Sequence, residues 1–243
     1  MSITQVAIEQ RMQIAMDEAR ERLRAEQGLN ARNGLPEAHF TLMPPVLEHP
    51  SAPGPVNLER FRERDDSAPA PLPDLWDGAT DPLVYVTFGS VAAQRPDIFP
   101  ALYRSTIDAL APLAVRVLVT IGRERDPEDL GPRPANVHVE RWVPQADVMP
   151  HAKAMVSHGG SGTLRAGLAA GIPQVVLPLF ADQPDNAERV DALGAGIAPG
   201  RDGLADAVER VLDDPRYAAR AAAVATEIRT LPDVDLAVAR LRA

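Results

Sequence analysis

The chain has no cysteine, a single lysine (Lys153) and few aromatic residues, 4% of its 243 positions. Without cysteine there are no disulfides, no thiolate metal ligands and no cysteine nucleophile. Basic charge is also short: 25 Lys and Arg stand against 34 Asp and Glu, a net charge of −9, and no basic cluster stands out. That argues against a nucleic-acid partner. No apolar run is long enough to cross a bilayer, and Glu9 and Arg11 interrupt the stretch where a secretory leader needs an unbroken apolar segment. Together these absences predict a cytoplasmic protein that meets neither membrane nor nucleic acid. What the chain does have is 45% apolar residues, enough for a real core, and 24 prolines. Its length suits one large domain or one and a half ordinary ones.

Residues 5–26 read as an amphipathic helix, with Ile8, Met12, Ala15, Met16, Ala19 and Leu23 on one face and Gly28 as a stop. A short strand is expected at 39–43, then a proline-rich linker from 44 to 73. From Asp81 the pattern changes. Buried strands are expected at 83–88, 115–121, 137–141, 155–157 and 174–177, with helices at 97–110, 161–170 and 184–193. Three further helical segments follow near 203–213, 215–230 and 233–242. Apolar strands alternating with helices predict an α/β fold, a parallel sheet with helices on both faces. In such sheets ligands sit beyond the carboxyl ends of the strands. Gly89-Ser90, His158-Gly159-Gly160 and Asp182-Gln183 all follow expected strand ends, so they should converge on one crevice.

The richest stretch is Ser157-His158-Gly159-Gly160-Ser161-Gly162-Thr163, entered from Ala154-Met155-Val156 and left through a helix-compatible run. A strand–glycine–helix turn is common and often only structural. Here three glycines sit close together with two hydroxyls among them. Glycine removes the side chain that blocks backbone approach, and the unpaired N–H groups of a helix start favour an anion by about 0.3–2 kcal/mol. Hydrogen bonds to a charged group add about 1.5–3 kcal/mol each. A phosphate is the ligand this turn suits, and since the net charge is negative its binding must come from local geometry. His158, more often structural when alone, can donate to a diphosphate and stabilise leaving-group charge. Asp182 and Gln183 offer acceptors and donors for sugar hydroxyls, although a loop carboxylate usually just faces water. Trp142 precedes Val143-Pro144-Gln145 and is placed to stack on a base, a contact worth about 1–3 kcal/mol. Gln145 can bond a nucleotide sugar, and Ser90 can approach phosphates from the other side.

Order and spacing of five segments resemble the family-one nucleotide-sugar glycosyltransferases of the GT-B fold. They are Val84-Tyr85-Val86-Thr87-Phe88-Gly89-Ser90, Arg141-Trp142-Val143-Pro144-Gln145, His158 through Thr163, Gly171-Ile172-Pro173, and Pro178 through Gln183. The resemblance covers roughly residues 81–200 and is strongest to bacterial enzymes that glycosylate macrolides, polyketides and similar natural products. It implies a Rossmann-like C-terminal domain of a GT-B fold. By that resemblance Trp142 stacks on the base and the Val143 backbone reads its edge, while Gln145 contacts the pentose. His158, the amides of Gly160, Ser161, Gly162 and Thr163, and Ser90 hold the diphosphate. Asp182 and Gln183 hold the donor sugar. The implied reaction is an inverting transfer of a hexose to a small-molecule acceptor hydroxyl, with a nucleotide sugar as co-substrate and neither metal nor cofactor.

Two departures from the family pattern carry expectations. Ala166 stands where plant members have a glutamate for ribose hydroxyls, which favours a thymidine-diphosphate (dTDP) sugar over a uridine-diphosphate (UDP) sugar. Only about 80 residues precede the donor-binding domain (81–243), and they resemble a remnant of the acceptor domain plus a linker. The catalytic base of the family lies in that acceptor domain, and His39 lies in the wrong place to be it. The chain alone is therefore expected to bind donor but transfer little, as a truncated half or one chain of two, with an acceptor-domain chain or a second copy as partner. The competing expectation is a non-catalytic donor-binding module or an auxiliary partner of a complete transferase. A dehydrogenase is excluded by the absence of a G-x-G-x-x-G turn after the first strand of this domain, and a serine hydrolase by the absence of G-x-S-x-G.

Overall fold

The computed structural model describes residues 39–48, 57–64 and 69–242. The helix expected at 5–26 lies outside them. In chain order the elements are β1 (His39–Thr41), β2 (Leu58–Arg60), β3 (Leu83–Thr87), α1 (Gly89–Gln94), α2 (Ala101–Leu110), β4 (Arg116–Thr120) and β5 (Val137–Glu140). They continue with α3 (Gln145–Val148), β6 (Ala152–Ser157), α4 (Ser161–Ala169), β7 (Gln174–Val176), α5 (Gln183–Leu193), β8 (Gly196–Ile197), α6 (Leu204–Asp213), α7 (Pro215–Arg229) and α8 (Val234–Arg242).

Strands β3 to β8 form one six-stranded sheet in the order β5-β4-β3-β6-β7-β8, and every neighbouring pair is parallel. The period-two alternation of a strand sorts its side chains between two cores. Val84, Val86, Val117, Val119 and Val156 enter a cluster with Tyr103, Ile107 and Leu110 of α2 and Leu204, Val208 and Val211 of α6. Leu83, Tyr85, Leu118 and Met155 point the other way, into a cluster with Trp76, Met149 and Ile172. A third cluster joins α4, α5 and α7 through Leu164, Leu168, Val190, Val224 and Ile228. The i, i+4, i+7 spacing of Tyr103, Ile107 and Leu110 is the apolar stripe that lays α2 on the sheet. Both sheet faces are thus covered, which is why the strands are nearly continuous apolar runs.

The connectivity fixes where a ligand can sit. From β3 the chain steps outward through β4 to β5, then returns to place β6 on the opposite side of β3 and steps outward again through β7 to β8. The order reverses between β3 and β6, and the crevice above their carboxyl ends is the topological switch point. Gly89-Ser90 leaves β3 there and His158-Gly159-Gly160 leaves β6.

Two differences from the sequence-based expectations have physical causes. The helix expected from 97 starts only at Ala101, preceded by the separate turn of α1. Pro100 lies inside the expected run and disfavours helical backbone at the residue before it, so the helix begins only after that proline, with Pro100 as its N-cap. The passage at 44–73 is not purely a linker: Leu47 is buried against the α4–α5–α7 cluster, and Phe61 is 1% exposed with its ring 5.5 Å from Phe40. β1 and β2 pair in parallel there. The Asp233-Val234-Asp235 run is tied back to this passage. Asp233 meets Arg62 at 3.0 Å, and its carboxylate accepts the Asp235 N–H at the start of α8.

Candidate functional site

The turn after β6 is built around glycine. Gly159 adopts φ +78°, and a Cβ there would lie 2.6 Å from Val176 Cγ1. Ser157, fully buried, accepts the Gly159 N–H through its hydroxyl at 3.2 Å. Gly160 is the N-cap of α4 and supplies no side-chain cap, so the N–H groups that open α4, from Ser161 to Thr163, are left for another partner. A Cβ on Gly162 would meet nothing within 4 Å outside its own helical turn, so the space beside that residue is open.

His158 sits between the two strand ends of the switch point. A Cβ on Gly160 would stand 2.4 Å from its Nε2, and one on Gly89, the residue after Phe88 with φ +73°, would stand 3.0 Å from Nε2 and Cε1. Two glycines, one from each connection, thus make room for one imidazole. Its Nδ1 is buried and has no hydrogen-bond partner among the described residues. Burial lowers the His158 pKa below the usual histidine value, and the nearby Asp182 carboxylate partly opposes that. Burial thereby favours the neutral imidazole, which lies beside the uncapped amides that open α4.

A cavity of about 440 Å³ opens beside this turn, lined by Ser90, Trp142, Val143, Gln145 and Thr163, with Tyr85 on its wall. Trp142 follows β5 and is 49% exposed, with the Arg123 guanidinium 3.7 Å from its ring centre. Gln145 opens α3. The Tyr85 hydroxyl, on a ring otherwise buried in β3, shares a hydrogen bond of 3.1 Å with Thr120 Oγ1. Burial raises the Tyr85 pKa against that bond, so it stays a neutral phenol.

Asp182 and Gln183 open α5 beyond β7 and play different parts. Asp182 is exposed, and its Oδ2 accepts from Ser161 Oγ at 2.5 Å and from Asn186 Nδ2 at 3.0 Å. Gln183 is 3% exposed, and its Oε1 accepts the N–H groups of Leu179 and Phe180 at 2.8 and 2.9 Å. Its acceptor is therefore occupied within the loop, and only its amide nitrogen is left for a hydroxyl. That clamp also holds Ala181 at φ +57°, left-handed backbone that a non-glycine residue adopts only under constraint from its surroundings.

The structure thus gathers Ser90, Trp142, Val143, Gln145 and Thr163 around one cavity, and sets His158 against its Gly89 edge. Ser161 is linked to Asp182. Three residues were missed in the sequence: Tyr85, Arg123 and Asn186. The first had a visible signal, a phenol in an otherwise apolar buried strand whose hydroxyl needs a partner.

Residues 104–243, more than half of the chain, match the family described as Erythromycin biosynthesis protein CIII-like, C-terminal domain. The chain is 39% identical over 173 residues to 4'-demethylrebeccamycin synthase of Lentzea aerocolonigenes, a match covering 66% of this chain and 39% of that one. Among solved structures it is similar to the glycosyltransferase SnogD from Streptomyces nogalater, at 29% identity and a TM-score of 0.69, covering 84% of this chain and 56% of that one. It is likewise similar to the spinosyn rhamnosyltransferase SpnG complexed with thymidine diphosphate, at 25% identity and a TM-score of 0.74, covering 86% and 58%. The chain therefore spans well under two thirds of the length of these relatives. By sequence match and by fold, the chain belongs to the Erythromycin biosynthesis protein CIII-like C-terminal domain family and matches the C-terminal half of glycosyltransferases of the GT-B fold.

Proposed function

We propose that this chain binds a nucleoside-diphosphate sugar and presents its anomeric carbon for inverting transfer to a hydroxyl of a small natural product. The observation that carries the reading is the half-buried imidazole of His158, set against Gly89 and Gly160 beside the uncapped start of α4, with an Nδ1 that has no hydrogen-bond partner among the described residues. In this reading the base stacks on Trp142 with its edge against the Val143 backbone, and the pentose meets Gln145. The diphosphate takes the amides of residues 161–163, His158 and Ser90. The sugar meets Asp182 and the amide nitrogen of Gln183. A thymidine rather than uridine nucleotide is favoured, because Ala166 offers no acceptor for a 2′-hydroxyl.

In the transfer the acceptor oxygen forms a bond to the anomeric carbon on the face opposite the diphosphate. The bond from that carbon to the phosphate oxygen breaks, and its electron pair leaves with the nucleotide. Negative charge then grows on the departing phosphate. Amides already aimed at that position, with the helix dipole and an imidazole, lower the barrier without reorganising. No metal ion is assigned a part. The acceptor's proton goes to a base outside the residues placed here, so transfer by these 243 residues alone is expected to be weak; general-base contributions are about two to four powers of ten. A donor-binding module that works beside a complete transferase would use the same site, and a transfer assay with and without an added acceptor-binding half separates the two.

Calorimetric titration with thymidine and uridine diphosphates tests the reading. Binding of the thymidine compound, weakened by His158→Ala, is expected. Preference for the uridine compound would remove the argument from Ala166, and unchanged affinity in His158→Ala would contradict the role of the imidazole.

A further inference from the structure

We propose that Asn186 is a positioning residue that ties the sugar-binding carboxylate of Asp182 to the diphosphate turn, so that the two subsites form as one unit. The inference rests on the donor-site reading above. Asn186 lies four residues after Asp182 on α5, which puts both side chains on one face of the helix. It is a buried polar residue beside an apolar cluster. A side-chain amide nitrogen carries two protons. Here the nitrogen donates to the carbonyl of Gly159 at 2.8 Å and to Asp182 Oδ2 at 3.0 Å, with Ser161 Oγ more distant at 3.5 Å.

Both ends of that bridge bear on a ligand. Gly159 is the left-handed residue of the phosphate turn, and its carbonyl belongs to the peptide unit that leads into Gly160 and the α4 amides. Pinning that oxygen sets the rotation of the peptide and so the approach to the cradle. On the other side, Asn186 and Ser161 both hold Oδ2 of Asp182. Among the described residues no hydrogen bond reaches Oδ1, which is thereby the oxygen turned over to a sugar hydroxyl. A carboxylate on an exposed loop would otherwise sample several rotamers, and ordering it would be charged against binding. The neighbouring clamp, in which Gln183 holds the 179–180 amides, fixes the backbone of that loop. Asn186 does for the carboxylate what Gln183 does for the main chain.

The test is a double-mutant cycle on binding of dTDP-glucose, with thymidine diphosphate as the probe that lacks the sugar. Asn186→Ala is expected to weaken dTDP-glucose by about tenfold or more, the scale of one hydrogen bond to a charged group, and thymidine diphosphate by clearly less. In an Asp182→Ala background the sugar-specific part of that loss should vanish, because Asn186 acts on the sugar only through the carboxylate. If Asn186→Ala weakens both probes equally, or its sugar-specific loss persists without Asp182, the tether is overturned while the donor site stands. If the wild-type chain binds neither probe, the donor reading itself fails and the tether with it. Should Asn186→Ala not fold, Ser161→Ala removes the other donor to Oδ2, and the same sugar-specific loss, again absent in the Asp182→Ala background, is expected there. Equal weakening of both probes by Ser161→Ala counts against the proposal.

Discussion

Gly160→Ala isolates the imidazole without deleting it. The backbone at Gly160 is extended, at φ −60° and ψ 135°, a conformation any residue adopts, so the substitution adds a methyl group and little backbone strain. That methyl carbon would lie 2.4 Å from Nε2 and 2.8 Å from Cε1 of His158. Both distances are far inside van der Waals contact, so the ring must leave its slot. Overpacking of this kind costs about 1–3 kcal/mol of stability. The hydrogen bond to diphosphate that the displaced ring no longer makes is worth about 1.5–3 kcal/mol, roughly a 10- to 150-fold rise in Kd. The assay is titration of thymidine diphosphate against wild type, Gly160→Ala, His158→Ala and the double variant, with a thermal melt of each. Since both changes remove one interaction, the double variant should bind no more weakly than His158→Ala alone. Full affinity in Gly160→Ala, or additive losses in the double variant, would refute the reasoning.

The imidazole also predicts a pH dependence. Burial holds the free His158 below the ordinary histidine pKa, and a bound diphosphate favours its protonated form, so binding takes up a proton. Affinity for dTDP-glucose should therefore rise as pH falls from 8 towards 6, by at most about tenfold per pH unit for one proton. The nucleotide sugar is the right probe because its phosphodiester does not titrate there, whereas a terminal phosphate does, near pH 6. A flat profile in wild type, or a slope that survives in His158→Gln, contradicts the assignment. Trp142→Ala should weaken the nucleotide by the worth of one stacked base, about 1–3 kcal/mol, while Trp142→Phe keeps most of it; equal binding by all three proteins would count against stacking. Because Trp76 is buried, ligand-induced fluorescence change should come from Trp142 and be lost in Trp142→Phe. Phe61→Ala should cost about 3–5 kcal/mol of stability; an unchanged melting curve would mean that the 57–64 segment is not part of the core.

What the sequence made legible was the part written in period and composition. Five apolar runs separated by amphipathic ones announce a parallel sheet, and glycine, histidine and hydroxyl residues at strand ends announce the crevice. β8 escaped because two residues, Gly196 and Ile197, carry no period. Phe61 and Leu47 escaped because prolines around them read as a linker, while their burial is decided by contacts with residues far along the chain, such as the α5 and α7 side chains beside Leu47. Gln183 shows the limit of reading a site from residue type. Residue type offers its amide to a sugar hydroxyl but does not show that its oxygen faces inward to hold the loop that carries Asp182. Asn186 was invisible for the same reason. Nothing in its neighbours in sequence shows that its amide protons meet a carbonyl 27 residues away.

The most direct measurement is a crystal structure of the chain with thymidine diphosphate. The account predicts phosphate oxygens within about 3.2 Å of the N–H groups of residues 161–163 and of a His158 ring nitrogen, with the thymine against Trp142. A diphosphate bound away from the start of α4, or a His158 that makes no contact with it, would contradict the account.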